Sequence, residues 1–241
     1  MGNWFEEWFD TPYYHLLYNN RSEEEASAFI HKLFGTLILT KGKVLDVGCG
    51  KGRHARTVSS LGFETTGIDI SPNSIEEANQ HASSTLHFQV WDMREVFAEK
   101  SFDVVMNLFS SFGYFEDTDD DQKAIHAMAT ALKTDGLLIF DYMNPEAVIK
   151  HMKAREIVMR GNIQFHITKR IENGFIKKQI AFIDEAENYC FEEKLQIIPP
   201  SRFLNWFESA GLELKYQFGS YDLKPFQSAE SLRNIMVAKR K

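Results

Sequence analysis

The arrangement of apolar and polar side chains divides this chain into three parts. Residues 3–35 carry apolar side chains at helical spacing, and residues 43–144 alternate short apolar runs with stretches that favour helices. In residues 155–197, apolar and polar side chains alternate one by one. These patterns predict, in turn, N-terminal helices, an alternating βα core and an antiparallel β insertion.

The alternating core predicts a parallel sheet with helices on both faces, because parallel strands are joined by right-handed crossovers. Val44-Leu45 and Val104-Val105-Met106 are continuous apolar runs, which is typical of strands covered on both faces. Gly136 is predicted to end the last core helix after Lys133. The predicted strands are 43–48, 63–70, 85–91, 102–109 and 136–142, and the predicted helices are 52–61, 72–82 and 119–133.

The pattern changes again after the core. Asn173-Gly174 predicts a two-residue hairpin turn inside an insertion of three or four antiparallel strands. A helix is predicted at 201–210. Only a short loop separates the last two predicted strands, 212–219 and 232–239, so we expect them to be antiparallel neighbours.

Composition and charge narrow the class of protein. The 241 residues are 44% hydrophobic, which suits one α/β domain, and the net charge of −7 argues against a surface that follows nucleic-acid phosphates. The basic pairs Lys169-Arg170 and Lys177-Lys178 are expected on solvated strand faces. Cys49 and Cys190 lack metal-ligand spacing, so we expect no metal site and a reducing cytoplasmic compartment. No signal peptide or membrane-spanning run is expected either.

A glycine-rich turn follows the first core strand. Gly48, Gly50 and Gly52 occupy every second position after Asp46, and a stretch that favours a helix begins at Arg53. Glycine permits positive φ and close approach of a ligand, so the turn predicts a nucleotide cradle. Counting Gly50, Gly52 and Ala55 also satisfies the dinucleotide fingerprint, so the spacing alone leaves NAD open as the ligand.

Four further motifs, in order, make the chain similar to a known family. Asp46-x-Gly48-x-Gly50-x-Gly52 and the motifs after it resemble those of class I S-adenosylmethionine-dependent methyltransferases of the small-molecule type. The further motifs are Gly67-Ile68-Asp69-Ile70-Ser71, Trp91-Asp92-Met93-Arg94, Phe102-Asp103-Val104-Val105-Met106-Asn107 and Leu132-Lys133-Thr134-Asp135-Gly136-Leu137-Leu138. The resemblance implies an α/β, Rossmann-like, mostly parallel seven-stranded sheet of order 3-2-1-4-5-7-6, with N-terminal helices and an antiparallel insertion after strand 5.

The resemblance also implies roles in holding S-adenosylmethionine. Asp69 is expected to accept both ribose hydroxyls, and Asp92, with the backbone N–H of Met93, is expected to contact the adenine edge. Asp46 is expected near the ammonium of the methionine portion. The residues implied in cofactor binding are Asp46, Gly48, Gly50, Gly52, Arg53, Asp69, Ile70, Asp92, Met93, Asn107 and Leu108.

The expected reaction is methyl transfer by in-line displacement to nitrogen or oxygen of a small molecule. No catalytic residue is assigned, and the acceptor-side candidates are Tyr14, Tyr114, Asn144 and His166. No nucleic-acid or membrane partner is expected, and a homodimer is left open. The alternatives are an RNA or protein methyltransferase, an NAD-dependent oxidoreductase and a non-catalytic module that binds S-adenosylmethionine.

The whole chain, 1–241, is expected to form a single domain. Its parts are a helical cap (1–38), a cofactor-binding core (39–149), an antiparallel insertion that acts as a lid or oligomer surface (150–198), and a segment that completes the core (199–241).

Overall fold

The structure, a computed structural model, describes residues 4–18 and 23–241. Its strands are β1 (Lys43–Val47), β2 (Glu64–Asp69), β3 (Leu86–Val90), β4 (Phe102–Asn107), β5 (Leu132–Met143), β6 (Arg155–Arg160), β7 (Ile163–Glu172), β8 (Phe175–Asp184), β9 (Glu187–Gln196), β10 (Leu212–Phe218) and β11 (Arg233–Arg240). Its helices are α1 (Trp4–Phe9), α2 (Pro12–Leu17), α3 (Glu23–Thr36), α4 (Arg53–Ser60), α5 (Pro72–Asn79), α6 (Thr118–Ala131), α7 (Pro145–Lys150) and α8 (Pro200–Ser209).

Seven strands form the main sheet, in the order β10-β11-β5-β4-β1-β2-β3. The five core strands are parallel, and β11 lies antiparallel between β5 and β10. With β10 and β11 taken as strands 6 and 7, this is the predicted order 3-2-1-4-5-7-6, so the fold prediction is confirmed. The carboxyl ends of β1, β2, β3 and β4 therefore meet at one edge of the sheet.

Both faces of the main sheet are covered, as the continuous apolar runs predict. Val44 packs with Phe29 and other side chains of α3, while Leu45 packs on the opposite face with Ile125 of α6. Val44 and Leu45 are both almost completely buried. Successive residues of β1 therefore pack into two separate hydrophobic cores, one on each face of the main sheet.

The prediction that Gly136 ends a helix is wrong. Helix α6 ends at Ala131, and β5 begins at once because Leu132 pairs with Phe102 of β4. The pairing register then shifts, and Asp135, with φ of 66°, takes the left-handed conformation expected of the glycine. Gly136 instead sits where a Cβ would lie 3.0 Å from the carbonyl oxygen of Lys133. Close backbone approach, not a helix cap, favours the glycine here.

The insertion forms a second sheet of four antiparallel strands, β6-β7-β8-β9. Asn173 and Gly174 have φ of 52° and 80°, as expected of the predicted hairpin turn between β7 and β8. One half of its inner face, including Phe165 and Phe182, packs against Trp8 of α1 and Leu17 of α2. The N-terminal helices thus cover part of the apolar face of this sheet.

Within the described ranges, the helices are all too short or too polar to cross a lipid bilayer. Of the helical cap predicted at 1–38, residues 1–3 and 19–22 lie outside the described part of the chain.

Candidate functional site

The glycine turn lies at the carboxyl end of β1 and is anchored to β2, because Gly48 and Cys49 both donate backbone hydrogen bonds to the Ile68 carbonyl. Its three glycines have positive φ but different surroundings. A Cβ on Gly48 would lie 2.6 Å from Ser111, and one on Gly52 would lie 2.5 Å from the Phe88 ring. A Cβ on Gly50 would meet no atom within 4 Å. Gly48 and Gly52 are therefore required by packing, whereas Gly50 borders open space.

Asp69, the last residue of β2, faces this turn. Its carboxylate accepts a hydrogen bond from the backbone N–H of Gly50 at 2.7 Å and from that of Ser71 at 2.9 Å. Burial raises the pKa of Asp69, although these backbone N–H groups act in the opposite direction. A carboxylate has about four acceptor sites, so Asp69 retains capacity for ligand hydroxyls.

A small cavity of about 120 Å³ opens beside Asp69. Ile70 and Met93 line it, as predicted, together with Trp91 and Phe115. Asp92 also lines it, but both of its carboxylate oxygens accept hydrogen bonds from Arg94. Burial raises the pKa of Asp92, but its bonds to Arg94 outweigh burial, so the net pKa is lowered and the carboxylate stays ionised. Its predicted contact with an adenine edge would have to share the carboxylate with Arg94.

Three predicted cofactor residues are not among the residues that line the cavities: Gly52, which Phe88 covers, and Asp46 and Asn107, which lie behind the turn. Asp46 is 1% exposed, one of its carboxylate oxygens has no hydrogen-bond partner, and burial raises its pKa to about 7. Asn107 is 0% exposed, and its amide donates to the carbonyls of Val47 and Ser111. The Asn107 amide therefore ties the end of β1 to the loop after β4, and contact of Asp46 and Asn107 with a ligand stays a prediction.

A second, larger cavity of about 970 Å³ adjoins the small one. Leu108 and Arg53 line it, and the Arg53 guanidinium lies 4.5 Å from the centre of the Phe109 ring. Its far wall is the inner face of the second sheet, which contributes Lys169, Lys178 and other residues.

Seven residues of the glycine turn, the N-terminal helices and the loop after β4 line both cavities, and we call this shared boundary the neck. Tyr14 and Tyr114 both line this neck, and the Tyr114 hydroxyl donates to the Ser110 carbonyl at 2.5 Å. The residues that line both cavities are Phe9, Tyr14, His15, Gly48, Gly50, Ser111 and Tyr114. A molecule in the large cavity can thus face one in the small cavity between two tyrosines.

The other two acceptor-side candidates are not brought to the neck. Asn144 is 1% exposed, and its amide donates to the carbonyls of Ser228 and Ser231, which ties a surface loop to the start of α7. His166 is exposed on the outer face of the second sheet, opposite to its neighbours Phe165 and Ile167. Strand alternation points its side chain away from the cavity.

Sequence reasoning missed several wall residues. Phe9 and Ser111 carry no motif, and only the tertiary packing brings them to the neck. The prediction that the basic pairs lie on solvated strand faces is wrong for one residue of each pair. Lys169 and Lys178 face the large cavity. The one-by-one alternation of the insertion was the available signal, since it assigns neighbours to opposite faces.

The small cavity suits a nucleoside. Asp69 offers a carboxylate to vicinal hydroxyls, apolar side chains can cover a planar ring, and the open space at Gly50 leaves room for a chain that continues to the neck. Gly52, whose backbone the NAD alternative needs beside the pyrophosphate, lines neither cavity, since it is covered by Phe88.

The known proteins to which this chain is similar are methyltransferases. A family model described as a methyltransferase domain matches residues 44–136. A putative methyltransferase of Bacillus subtilis is 35% identical over 104 residues, but the match covers only 42% of this chain and 42% of that protein. A ubiquinone biosynthesis O-methyltransferase of Haemophilus ducreyi is 31% identical over 80% of this chain and 73% of its own length.

Solved structures show the same fold. A S-adenosylmethionine-dependent methyltransferase from Clostridium acetobutylicum superposes with a TM-score of 0.79 at 18% identity, covering 95% of this chain and 96% of that one. The S-adenosylmethionine-bound amino pentose methyltransferase from Micromonospora echinaspora gives a TM-score of 0.72 at 19% identity, covering 96% and 98%.

Proposed function

Because this chain belongs to the class I S-adenosylmethionine-dependent methyltransferases, we propose that it transfers a methyl group to a small-molecule acceptor held in the large cavity. The observation that carries this proposal is the joined pair of cavities. A small pocket of about 120 Å³ that contains the Asp69 carboxylate shares a tyrosine-lined neck with a space of about 970 Å³.

In this proposal, Asp69 accepts the ribose hydroxyls, and Ile70, Trp91 and Met93 enclose the adenine. The Gly50 backbone faces the methionine portion, and Arg53 is placed for its carboxylate. S-adenosylmethionine supplies a methyl group on a positively charged sulfur, which needs no further activation. The charge-assisted hydrogen bonds at Asp69 are each worth about 1.5–3 kcal/mol.

The role of the neck is alignment. In-line displacement requires the acceptor atom, the methyl carbon and the sulfur to lie on one line, and holding two reactants in such a geometry can supply about 7–11 kcal/mol. We propose that Tyr14 and Tyr114 define this line and exclude water from it. The second sheet and the N-terminal helices act as a lid, which is the choice we favour over an oligomer surface.

Both nitrogen and oxygen remain candidate acceptor atoms. The relatives include the O-methyltransferase named above and an amino-sugar N,N-dimethyltransferase of Streptomyces venezuelae, which is 23% identical over 86% of this chain. An amine needs only to be neutral, whereas a hydroxyl needs a base. We propose no nucleic-acid or membrane partner, and a homodimer is left open. Because the two cysteines lack metal-ligand spacing, we retain the cytoplasm as the proposed compartment.

Titration calorimetry tests the proposal. S-adenosylhomocysteine, the demethylated product, should bind with one site per chain, and NADH should not bind. Incubation with S-adenosylmethionine and a panel of amines and phenols should then release S-adenosylhomocysteine with at least one acceptor. Tight binding of NADH instead would favour the oxidoreductase, and binding of the product without any turnover would favour a non-catalytic module.

A further inference from the structure

The wall of the large cavity has a charge opposite to that of the whole chain. Among the described residues that line it, seven are Lys or Arg and four are Glu, whereas the chain as a whole carries a net charge of −7. One of the seven, Arg233, is neutralised by the buried Asp141 behind the wall, which leaves six basic residues against the four Glu. A cavity that concentrates positive charge in an acidic protein indicates a ligand with negative charge.

Two lysines of this wall lie directly opposite each other. Lys169 of β7 and Lys178 of β8 are cross-strand partners on the inner face of the second sheet. Their side chains are only 24% and 14% exposed. Like charges in this position destabilise a sheet, so folding alone does not favour the pair.

The outer face of the same two strands carries a matched pair. Arg170 and Lys177 are also directly opposite each other, but Glu172 forms an ion pair with both and lies between them. The like charges of the outer face are therefore bridged by a shared carboxylate.

The inner pair has no such bridge. Lys169 pairs with Glu156 at 2.6 Å on one side, and Lys178 pairs with Glu193 at 3.4 Å on the other. Within residues 4–18 and 23–241, no carboxylate pairs with both lysines. The Lys178 ammonium also donates a hydrogen bond to the Tyr18 hydroxyl, so moving the ammonium away from the cavity would break this bond.

We propose that an anionic group of the acceptor, a carboxylate or a phosphate, binds between Lys169 and Lys178, as Glu172 does between Arg170 and Lys177. This inference rests on the proposed function and narrows its substrate class. The acceptor is then a small molecule with an anionic end on the second sheet and its methylated end at the neck beside Tyr14 and Tyr114.

The pKa of Lys178 is consistent with this assignment. Burial lowers it, and the charge of Lys169 lowers it further, against the opposing effects of Glu193 and of Glu156. An anion between the two ammonium groups would offset both effects and hold the two lysines in their charged forms.

The experiment uses the full chain saturated with S-adenosylhomocysteine, so that the cofactor's own carboxylate is already in place. Inorganic pyrophosphate and malonate are titrated separately, as probes for a phosphate and a carboxylate. The test variant is the double substitution Lys169→Gln, Lys178→Gln. The matched control is Arg170→Gln, Lys177→Gln, which removes the same charges from the outer face of the same strands.

We expect at least one probe to bind wild type with one site per chain, and the inner variant to lose roughly tenfold or more in affinity per lysine. The outer variant should bind as wild type does. Preference for pyrophosphate would indicate a phosphorylated acceptor, and preference for malonate would indicate a carboxylate. Urea unfolding of the ligand-free variants checks that both fold.

Three results would overturn the inference: neither probe binds wild type, the outer variant loses as much affinity as the inner one, or the inner variant loses S-adenosylhomocysteine binding instead. The last would assign the lysines to the cofactor. Failure of wild type to bind S-adenosylhomocysteine in the first place would reject the proposed function itself.

Discussion

At the scale of single residues, the site depends on one backbone position and one carboxylate. Asp69 holds the glycine turn through the Gly50 N–H while facing the small cavity, and Gly50 is the glycine of the turn whose missing Cβ borders open space. The motifs predicted Asp69, Gly50, Ile70 and Met93 because they follow strand ends in order. They could not show that Asp46 is enclosed behind the turn, since burial is a property of the tertiary packing.

Replacing Asp69 with alanine should weaken binding of S-adenosylhomocysteine by about tenfold or more, because charge-assisted bonds to the ribose are lost. Titration calorimetry measures the affinity. Asp103→Ala is the control, since this carboxylate pairs with Lys133 away from both cavities. Unchanged affinity in D69A would exclude the ribose role.

Gly50→Ala should reduce that affinity by at least tenfold while the protein still unfolds cooperatively, because the added methyl group would occupy ligand space. Gly161→Ala is matched for backbone strain: φ is 53° at Gly50 and 55° at Gly161, and neither Cβ would meet an atom within 4 Å. The two variants should lose similar stability, about 1–2 kcal/mol. If G50A bound the product as well as G161A does, the turn would not cradle a ligand.

At the scale of helices and strands, local sequence patterns predicted the positions of the elements well. They failed where pairing between strands determines the boundary of an element. The starts of β1 to β4 were predicted to within one residue because apolar runs begin there. The start of β5 was not, since Leu132 is drawn into the sheet by its pairing with Phe102, which no local pattern reports. Asp121 of helix α6 is also buried. Its acidic neighbours in the first turn gave no reason to expect this residue in the protein interior.

Asp121→Asn should stabilise the protein increasingly as pH rises from about 4 to 7. Burial raises the pKa of Asp121 to about 7, and neither of its carboxylate oxygens has a hydrogen-bond partner. Because the folded pKa lies above the unfolded one, the stability that wild type has below the unfolded pKa is lost as pH rises through the folded pKa. Asparagine does not titrate and avoids this loss.

The measurement is urea unfolding of D121N and wild type at pH 4.5 and pH 8. The advantage of D121N should grow by roughly 3 kcal/mol between the two conditions. Asp119→Asn, an exposed neighbour on the same helix, should show no such growth. An advantage of D121N that is equal at both pH values would contradict the raised pKa.

At the scale of the molecule, the second sheet and the N-terminal helices form one wall of the large cavity. Trp8 links them, since its ring packs against Phe191 and its indole N–H donates to Glu193 at 2.7 Å. The sequence predicted the fold, the strand order and an insertion after strand 5. It did not predict which face of the insertion lines the large cavity. Both faces carry charged side chains, and the choice depends on the N-terminal helices that pack against one of them.

Phe165→Ala should therefore impair turnover more than cofactor binding. Phe165 is fully buried between the second sheet and the N-terminal helices, so its loss should cost about 3–5 kcal/mol of unfolding free energy. S-adenosylhomocysteine affinity, whose ribose contact at Asp69 lies on the main sheet, should change less than kcat/KM for an accepted substrate. Ile183→Ala, on the exposed outer face, is the control and should alter neither. Equal losses of binding and turnover in F165A would contradict the lid role.

The central claim is that the crevice at the carboxyl ends of β1 to β4 holds S-adenosylmethionine with its reactive sulfur at the neck. A crystal structure with S-adenosylhomocysteine tests it most directly. The account predicts ribose hydroxyls on the Asp69 carboxylate, adenine against Ile70 and Trp91, and the sulfur between Tyr14 and Tyr114. Density for the product at any other place, or a ribose that does not contact Asp69, would contradict it.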